Sequence, residues 1–178
     1  MTTAAISLGH LSRRACARAA LLFCAPLLMA QAPADMSLER IFVSQNAARA
    51  ELGLAPLAWN NSLAGEAKRW ADHLANTGGF NNGVGSGSGQ GENLWRGTRG
   101  AYSPEEMANA WIDEKRYFHP GRFPNVSTTG DWKTVGHYSQ IIWRETNEVG
   151  CAIASNDASD ILVCRYSNPG NVVGQQPY

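Results

Sequence analysis

A histidine and a serine that could take part in proton transfer lie in one apolar stretch near the end of the chain. Residues 135–154 read VGHYSQIIWRETNEVGCAIA. The two-residue period of a strand predicts that His137 and Ser139 share one face of a strand over residues 135–143, beside bulky apolar side chains. A buried imidazole or hydroxyl must find a hydrogen-bond partner. His137 is therefore either a structural histidine with a satisfied hydrogen bond or part of a functional site.

A carboxylate that could pair with this histidine lies on a predicted helix. The sequence SPEE at 103–106 is a strong helix start, with a capping Ser, a Pro at the first helical position and a Glu three residues after the Ser. Glu114 falls on the apolar side of this helix, where burial requires a donor or a cation, and His137 is a candidate. The residues on this side follow one another at spacings of four, three and four positions, and they are Met107, Trp111, Glu114 and Phe118.

The remaining pattern predicts helices in the first part of the chain and strands in the last part. Apolar periodicity predicts helices over 37–52 and about 61–76, the second capped by Asn60 or Asn61. Residues 119–134 contain two Pro and two Gly and are predicted to be irregular. This order favours an α+β layered domain. The predicted strands are 135–143, 148–155 and 161–167.

Two cysteines are placed so that they could form a cross-strand disulfide. Cys151 and Cys164 are symmetric about Asp157-Ala158, so a hairpin centred there puts them opposite each other. In an oxidising compartment a disulfide is the natural interpretation, and two reduced core thiols are the alternative.

The first residues have the composition of an export signal. Three arginines precede the apolar run 19–30, and small residues follow it in A-x-A order. This pattern predicts a secretory signal peptide and cleavage region over 1–34, followed by a single domain over 35–178. The run is short for a membrane span, and an uncleaved anchor is the alternative. We expect a secreted protein, extracellular or periplasmic, with no transmembrane anchor after cleavage.

The charge of the predicted domain excludes one class of partner. Three of the 15 Lys and Arg residues lie in the leader and all 15 acidic residues lie after it, which leaves a net charge of about −3 on the domain. No basic patch is visible, so nucleic acid is not an expected partner.

Four motifs, taken together, resemble one known family. They are GENL at 91–94, WxxE at 111–114, GHYSQIIWRET at 136–146 and LVCRYSNPGNV at 162–172. In this order they are similar to the CAP superfamily of cysteine-rich secretory, antigen 5 and pathogenesis-related proteins, whose shared unit is the SCP-like extracellular domain. The resemblance covers about 37–178, although Asn168 and Gln45 depart from the family's usual residues. It implies a three-layer α-β-α sandwich with a central antiparallel sheet and an open cleft.

The resemblance also implies a metal site in that cleft. Family members often carry two His and two Glu that can hold Zn²⁺ or another divalent cation, and Glu92, Glu114 and His137 match three of these positions. Asn82 stands at the position of the other His. One His and two Glu form a legitimate catalytic zinc set, whereas Asn is a poor zinc ligand. Without the second imidazole, the alternative is a cluster held together by hydrogen bonds alone.

Two functions from different classes follow from this site. The favoured function is a secreted binding module for a lipid, a sterol or another extracellular ligand. The alternative is a metal-assisted or general-base hydrolase, protease-like in type, that uses His137, Glu114 and Glu92 with a bound water or with Ser139. Since no established catalytic motif is present, the sequence leaves enzymatic activity open.

Overall fold

The structure is a computed structural model that describes residues 1–2, 35–83 and 89–178. Apart from its first two residues, the predicted leader lies outside the described residues, as do residues 84–88. Among the helices of the described ranges, none combines the length and the apolar character that a membrane span requires.

Three long helices begin and end close to the sequence signals that predict them. Asn60 accepts hydrogen bonds from the backbone N–H groups of Ser62 and Leu63 and so caps the second helix. Gly78, with φ of 70°, ends that helix in the left-handed conformation. Ser103 and Glu106 form the predicted capping box of the third helix. The helices are α1 (Met36–Ala50), α2 (Asn61–Thr77) and α3 (Pro104–Ile112), and a 3-10 turn at Asp113–Tyr117 continues α3.

One four-stranded sheet forms the middle layer. The two C-terminal strands form the predicted antiparallel hairpin, and the second strand pairs antiparallel with the fourth. The short first strand lies parallel to the third. The sequence did not predict the second strand, which has Gly91 at its start and Gly97 near its end. The strands are β1 (Ala58–Trp59), β2 (Gly91–Thr98), β3 (Glu148–Ser155) and β4 (Ser159–Ser167). Their spatial order in the sheet is β1-β3-β4-β2.

Alternate residues of the sheet enter two different cores. On one face, Ala152 and Val163 pack against the small and apolar side chains of α2. On the other face, Leu162 and Tyr166 pack against a layer that contains Met107 of α3. Helices therefore cover both faces, and the predicted α-β-α sandwich is confirmed.

The two cysteines form the predicted disulfide across the hairpin. Cys151 on β3 and Cys164 on β4 are a register pair with Cα atoms 4.1 Å apart, and they are bonded. Both are fully buried. The alternative of two reduced thiols is not the state of this structure.

The strand predicted over residues 135–143 is wrong, because this segment forms a short helix, α4 (Gly136–Ile141). Side chains from distant parts of the chain hold both of its ends. At its start, the Glu114 carboxylate accepts the N–H groups of His137 and Tyr138. At its end, the buried Arg49 guanidinium donates to the carbonyls of Ile141 and Trp143, each at 2.8 Å.

Those long-range bonds explain why the local pattern is misleading. The alternation of apolar residues suits a strand, but the backbone groups at the ends of α4 find their partners only as a helix. The change of element also changes which side chains point together. Residues two positions apart lie about 200° apart around a helix. His137 and Ser139 therefore do not share a face.

Candidate functional site

Glu114 and His137 form a hydrogen-bonded pair, as the position of Glu114 on the apolar side of the predicted helix suggested. The 3-10 turn after α3 carries Glu114 to the start of α4. Its Oε1 lies 2.7 Å from Nδ1 of His137, and its Oε2 accepts the backbone N–H of His137 at 3.0 Å and of Tyr138 at 3.1 Å. One carboxylate thus caps α4 and orients the imidazole.

This geometry determines which ring nitrogen is available to a ligand. Because an ionised carboxylate only accepts hydrogen bonds, Nδ1 of His137 carries the hydrogen and Nε2 keeps the lone pair in the neutral ring. The indole of Trp111 stacks on the imidazole with ring centres 5.8 Å apart and planes at 20°. The His137 side chain is 38% exposed, against 18% for Glu114. His137 therefore presents an oriented base to the solvent side.

His137 lines a cleft of about 500 Å³ whose lining residues form two chemically different sets, which we call the apolar wall and the polar wall. One wall is apolar and consists of Phe123, Trp132 and Val173. The other wall carries His137 together with amide and carboxylate groups, and Lys133 also lines the cleft. The polar wall contains Asn82, Glu92, Asn93, His137 and Asn171.

Glu92 also lines this cleft, but its carboxylate is engaged by other parts of the chain. Its Oε2 lies 3.1 Å from Nε and 3.1 Å from Nη2 of Arg165, the residue opposite it across β2 and β4. Its Oε1 accepts the backbone N–H of Gly83 at 2.7 Å. Glu92 is therefore part of an ion pair.

The residues present do not fit the metal site that the family resemblance implies. The two oxygens of Glu114 are hydrogen-bonded to the imidazole of His137 and to the backbone of α4. The two oxygens of Glu92 accept hydrogen bonds from Arg165 and from the backbone of Gly83. Asn82 does line the cleft, but an amide is a poor zinc ligand. In the described ranges no three His, Cys, Asp or Glu side chains are grouped so that they could hold a metal ion.

Ser139 has a structural environment rather than that of a nucleophile. It is fully buried, and its hydroxyl donates to Oδ1 of Asn171 at 2.6 Å and lies 3.2 Å from the carbonyl of Gly136. No hydrogen bond joins it to His137 within the described part of the chain. A nucleophile paired with its base needs such contact, so the proposed use of Ser139 by a hydrolase does not follow from this arrangement.

The sequence analysis missed a buried polar network behind the cleft. Asn93 donates to the carbonyl of His137 at 3.1 Å and to the hydroxyl of Tyr166 at 3.2 Å, and Tyr166 donates to Oε1 of Gln45 at 2.9 Å. Burial raises the pKa of Tyr166, so the phenol remains a neutral donor. The departure of Gln45 from the family's usual residue was the one available signal. The partners could be seen only once β2 was paired with β4.

Comparison with known proteins agrees with the fold and the motifs. The family model described as "CAP: Cysteine-rich secretory protein family" matches residues 44–166. Pathogenesis-related protein PR-1 of Medicago truncatula is 33% identical over 141 residues, which cover 78% of each chain. Pathogenesis-related protein 1B of Nicotiana tabacum is 35% identical over 136 residues, which cover 76% of this chain and 77% of the relative.

Solved structures share the architecture at lower identity. A crystal structure of NaASP2 with Zn²⁺ has a TM-score of 0.69 at 19% identity, over 83% of this chain and 90% of that one. The structure of BmVAL-1 has a TM-score of 0.67 at 21% identity, over 83% and 86%. These likenesses concern the fold, while the family model and the plant relatives concern the sequence. Together they show that this chain belongs to the cysteine-rich secretory protein, or CAP, family.

Proposed function

We propose that this chain is an exported binding module, extracellular or periplasmic, whose cleft takes an amphipathic small molecule such as a lipid or a sterol. The observation that carries the proposal is the cleft itself, whose lining combines an apolar wall with a polar wall. Ligand sites of this size are typically lined by apolar and aromatic groups with a few polar groups that orient the ligand. Membership of a secretory family and the predicted leader over 1–34 support the location.

The apolar wall exposes hydrophobic surface whose burial by a ligand would be favourable. Val173 is 75% exposed and Trp132 is 37% exposed, and the buried Phe123 packs edge-on against Trp132 with ring centres 5.1 Å apart. Removing such surface from water is favourable in proportion to its area. An aliphatic chain or a ring system would therefore lie against this wall.

The polar wall would orient the other end of the ligand. When the His137 ring is neutral its Nε2 accepts a hydrogen bond, so it suits a hydroxyl donor. Lys133 is exposed at the cleft and has no ion pair among the described residues, so it suits a carboxylate. A sterol hydroxyl and a fatty-acid carboxylate each find one matching group here.

Displacement of a fluorescent sterol or fatty acid from the purified chain tests the binding function. Val173→Ser should weaken binding about two- to fivefold, because it removes roughly 0.5–1 kcal/mol of apolar contact. Val43→Ser is the matched control, since Val43 is 57% exposed on α1 and does not line the cleft. Equal effects of the two changes, or no displacement by any lipid in a broad panel, would reject the proposal.

General-base hydrolysis by His137 is the second candidate, and the Glu114–imidazole pair favours it. In that reaction Nε2 would remove a proton from a bound water, and Glu114 would stabilise the resulting imidazolium. His137→Gln should then abolish turnover of ester or peptide substrates, whereas His119→Gln, at an exposed loop histidine, should not. Substrate turnover that survives His137→Gln would exclude this mechanism.

A further inference from the structure

An internal cation, Arg165, is paired with Glu92, one of the carboxylates that the family resemblance implies as a metal ligand. Arg165 on β4 is the register partner of Glu92 on β2, so both side chains leave the sheet on the same face. Two nitrogens of the guanidinium lie 3.1 Å from Oε2 of Glu92. The Arg165 side chain is only 12% exposed, so water screens this pair weakly.

Further groups hold Arg165 in this position. Its Nη1 lies 3.4 Å from Oε2 of Glu66 on α2 and 3.4 Å from Oε1 of Gln90. Gln90 in turn donates to Glu66 at 2.8 Å. The guanidinium therefore bridges carboxylates from α2 and β2. Because several groups support it, it cannot move aside without leaving those carboxylates without their cation.

A divalent cation would compete directly with this arrangement. Coordination by Glu92 needs an oxygen lone pair directed at the metal, but Oε2 faces Arg165 and Oε1 faces the N–H of Gly83. A metal at this oxygen would also lie close to the positive guanidinium. Repulsion between the two cations adds to the loss of the ion pair.

We infer that Arg165 determines whether this cleft can bind a divalent cation, because it commits the Glu92 carboxylate to an internal ion pair. The missing second imidazole at Asn82 is then not the only reason why the ligand set is incomplete. Restoring that imidazole does not by itself create a metal site. The carboxylate must also be released from Arg165.

Zinc titration by calorimetry of the purified chain and its variants tests this inference. Asn82→His alone should bind Zn²⁺ no better than the unmodified chain. Asn82→His combined with Arg165→Met should bind about tenfold more tightly or better, a change of the size that outer-shell partners of metal ligands produce. Asn82→His with Arg99→Met is the matched control, because Arg99 is an exposed arginine outside the cleft.

Two further variants complete the test. Arg165→Gln removes the positive charge but keeps a polar side chain. It replaces Arg165→Met if the melting curve shows that the Met variant does not fold. His137→Ala in the double variant should remove the gained affinity, which separates the cleft from the other histidines. Tight zinc binding by the unmodified chain or by Asn82→His alone would overturn the inference. A folded double variant without gained affinity, or with a gain that survives His137→Ala, would also overturn it.

Discussion

Replacement of Glu114 should separate its two structural roles, capping α4 and orienting His137. Glu114→Ala leaves two backbone N–H groups and the imidazole N–H without their acceptor. An unsatisfied buried donor costs about 1–3 kcal/mol, but the side chain is 18% exposed and water can replace part of the loss. We therefore expect a loss of about 2–4 kcal/mol in the free energy of unfolding.

Glu114→Gln should behave differently, because the amide keeps one oxygen. That oxygen can still accept the two backbone N–H groups that Oε2 accepts now, so α4 should survive with a loss of about 1–2 kcal/mol from the missing charge. The amide nitrogen would then face Nδ1 of His137. Since two donors cannot pair, the imidazole should move its hydrogen to Nε2.

Urea unfolding measures the stability changes, and nitrogen NMR of labelled His137 measures the tautomer. Glu51→Ala is the control, since Glu51 is 60% exposed and its ion pair with Lys115 should contribute no more than about 1 kcal/mol. If Glu114→Ala cost no more than this control, Glu114 would not be the cap of α4. If the tautomer were the same in Glu114→Gln and the unmodified chain, the carboxylate would not determine it.

Two further predictions concern the groups that hold α4 in place. Arg49→Met should lower the free energy of unfolding by about 3–5 kcal/mol, because four carbonyl oxygens lose their guanidinium donor, although that of Trp143 still accepts the N–H of Thr146. A loss below about 1 kcal/mol in urea unfolding would contradict this. Burial, with smaller contributions from Tyr178 and Glu51, raises the pKa of Tyr138 to about 12. The unfolded chain therefore loses this proton first, and stability should fall as the pH rises from about 10 to 12. Tyr138→Phe should reduce that fall, and an unchanged stability profile over this range would refute the assignment.

Elements with their signals close together in the chain were predicted well. The capping box at Ser103, the Asn60 cap and the stop at Gly78 all act over a few residues, so their physical causes can be seen locally. The disulfide was predictable for the same reason, since a hairpin of fixed centre determines which residues are opposite. The site pair Glu114–His137 followed from one carboxylate on an apolar stripe.

The conformation of the segment containing His137 could not be predicted from its local sequence. Its apolar alternation favours a strand, yet Glu114 and Arg49 supply the end groups of a helix from 23 and 92 residues away. Tertiary partners override local propensity when they satisfy backbone groups that would otherwise be buried and unpaired. Because the segment is a helix, Ser139 does not lie on the same face as His137.

The sequence by itself determined the family, the layered architecture and the disulfide, and it indicated Glu92, Glu114 and His137 as residues of the candidate site. Only the tertiary structure decided what those residues can do, because it shows which groups already satisfy the two carboxylates. Glu114 is used by the start of α4, and Glu92 is used by Arg165, which lies 73 residues away in the chain. Hydrogen bonds and ion pairs are short-range contacts, so partners this distant become known only when the strands are in register.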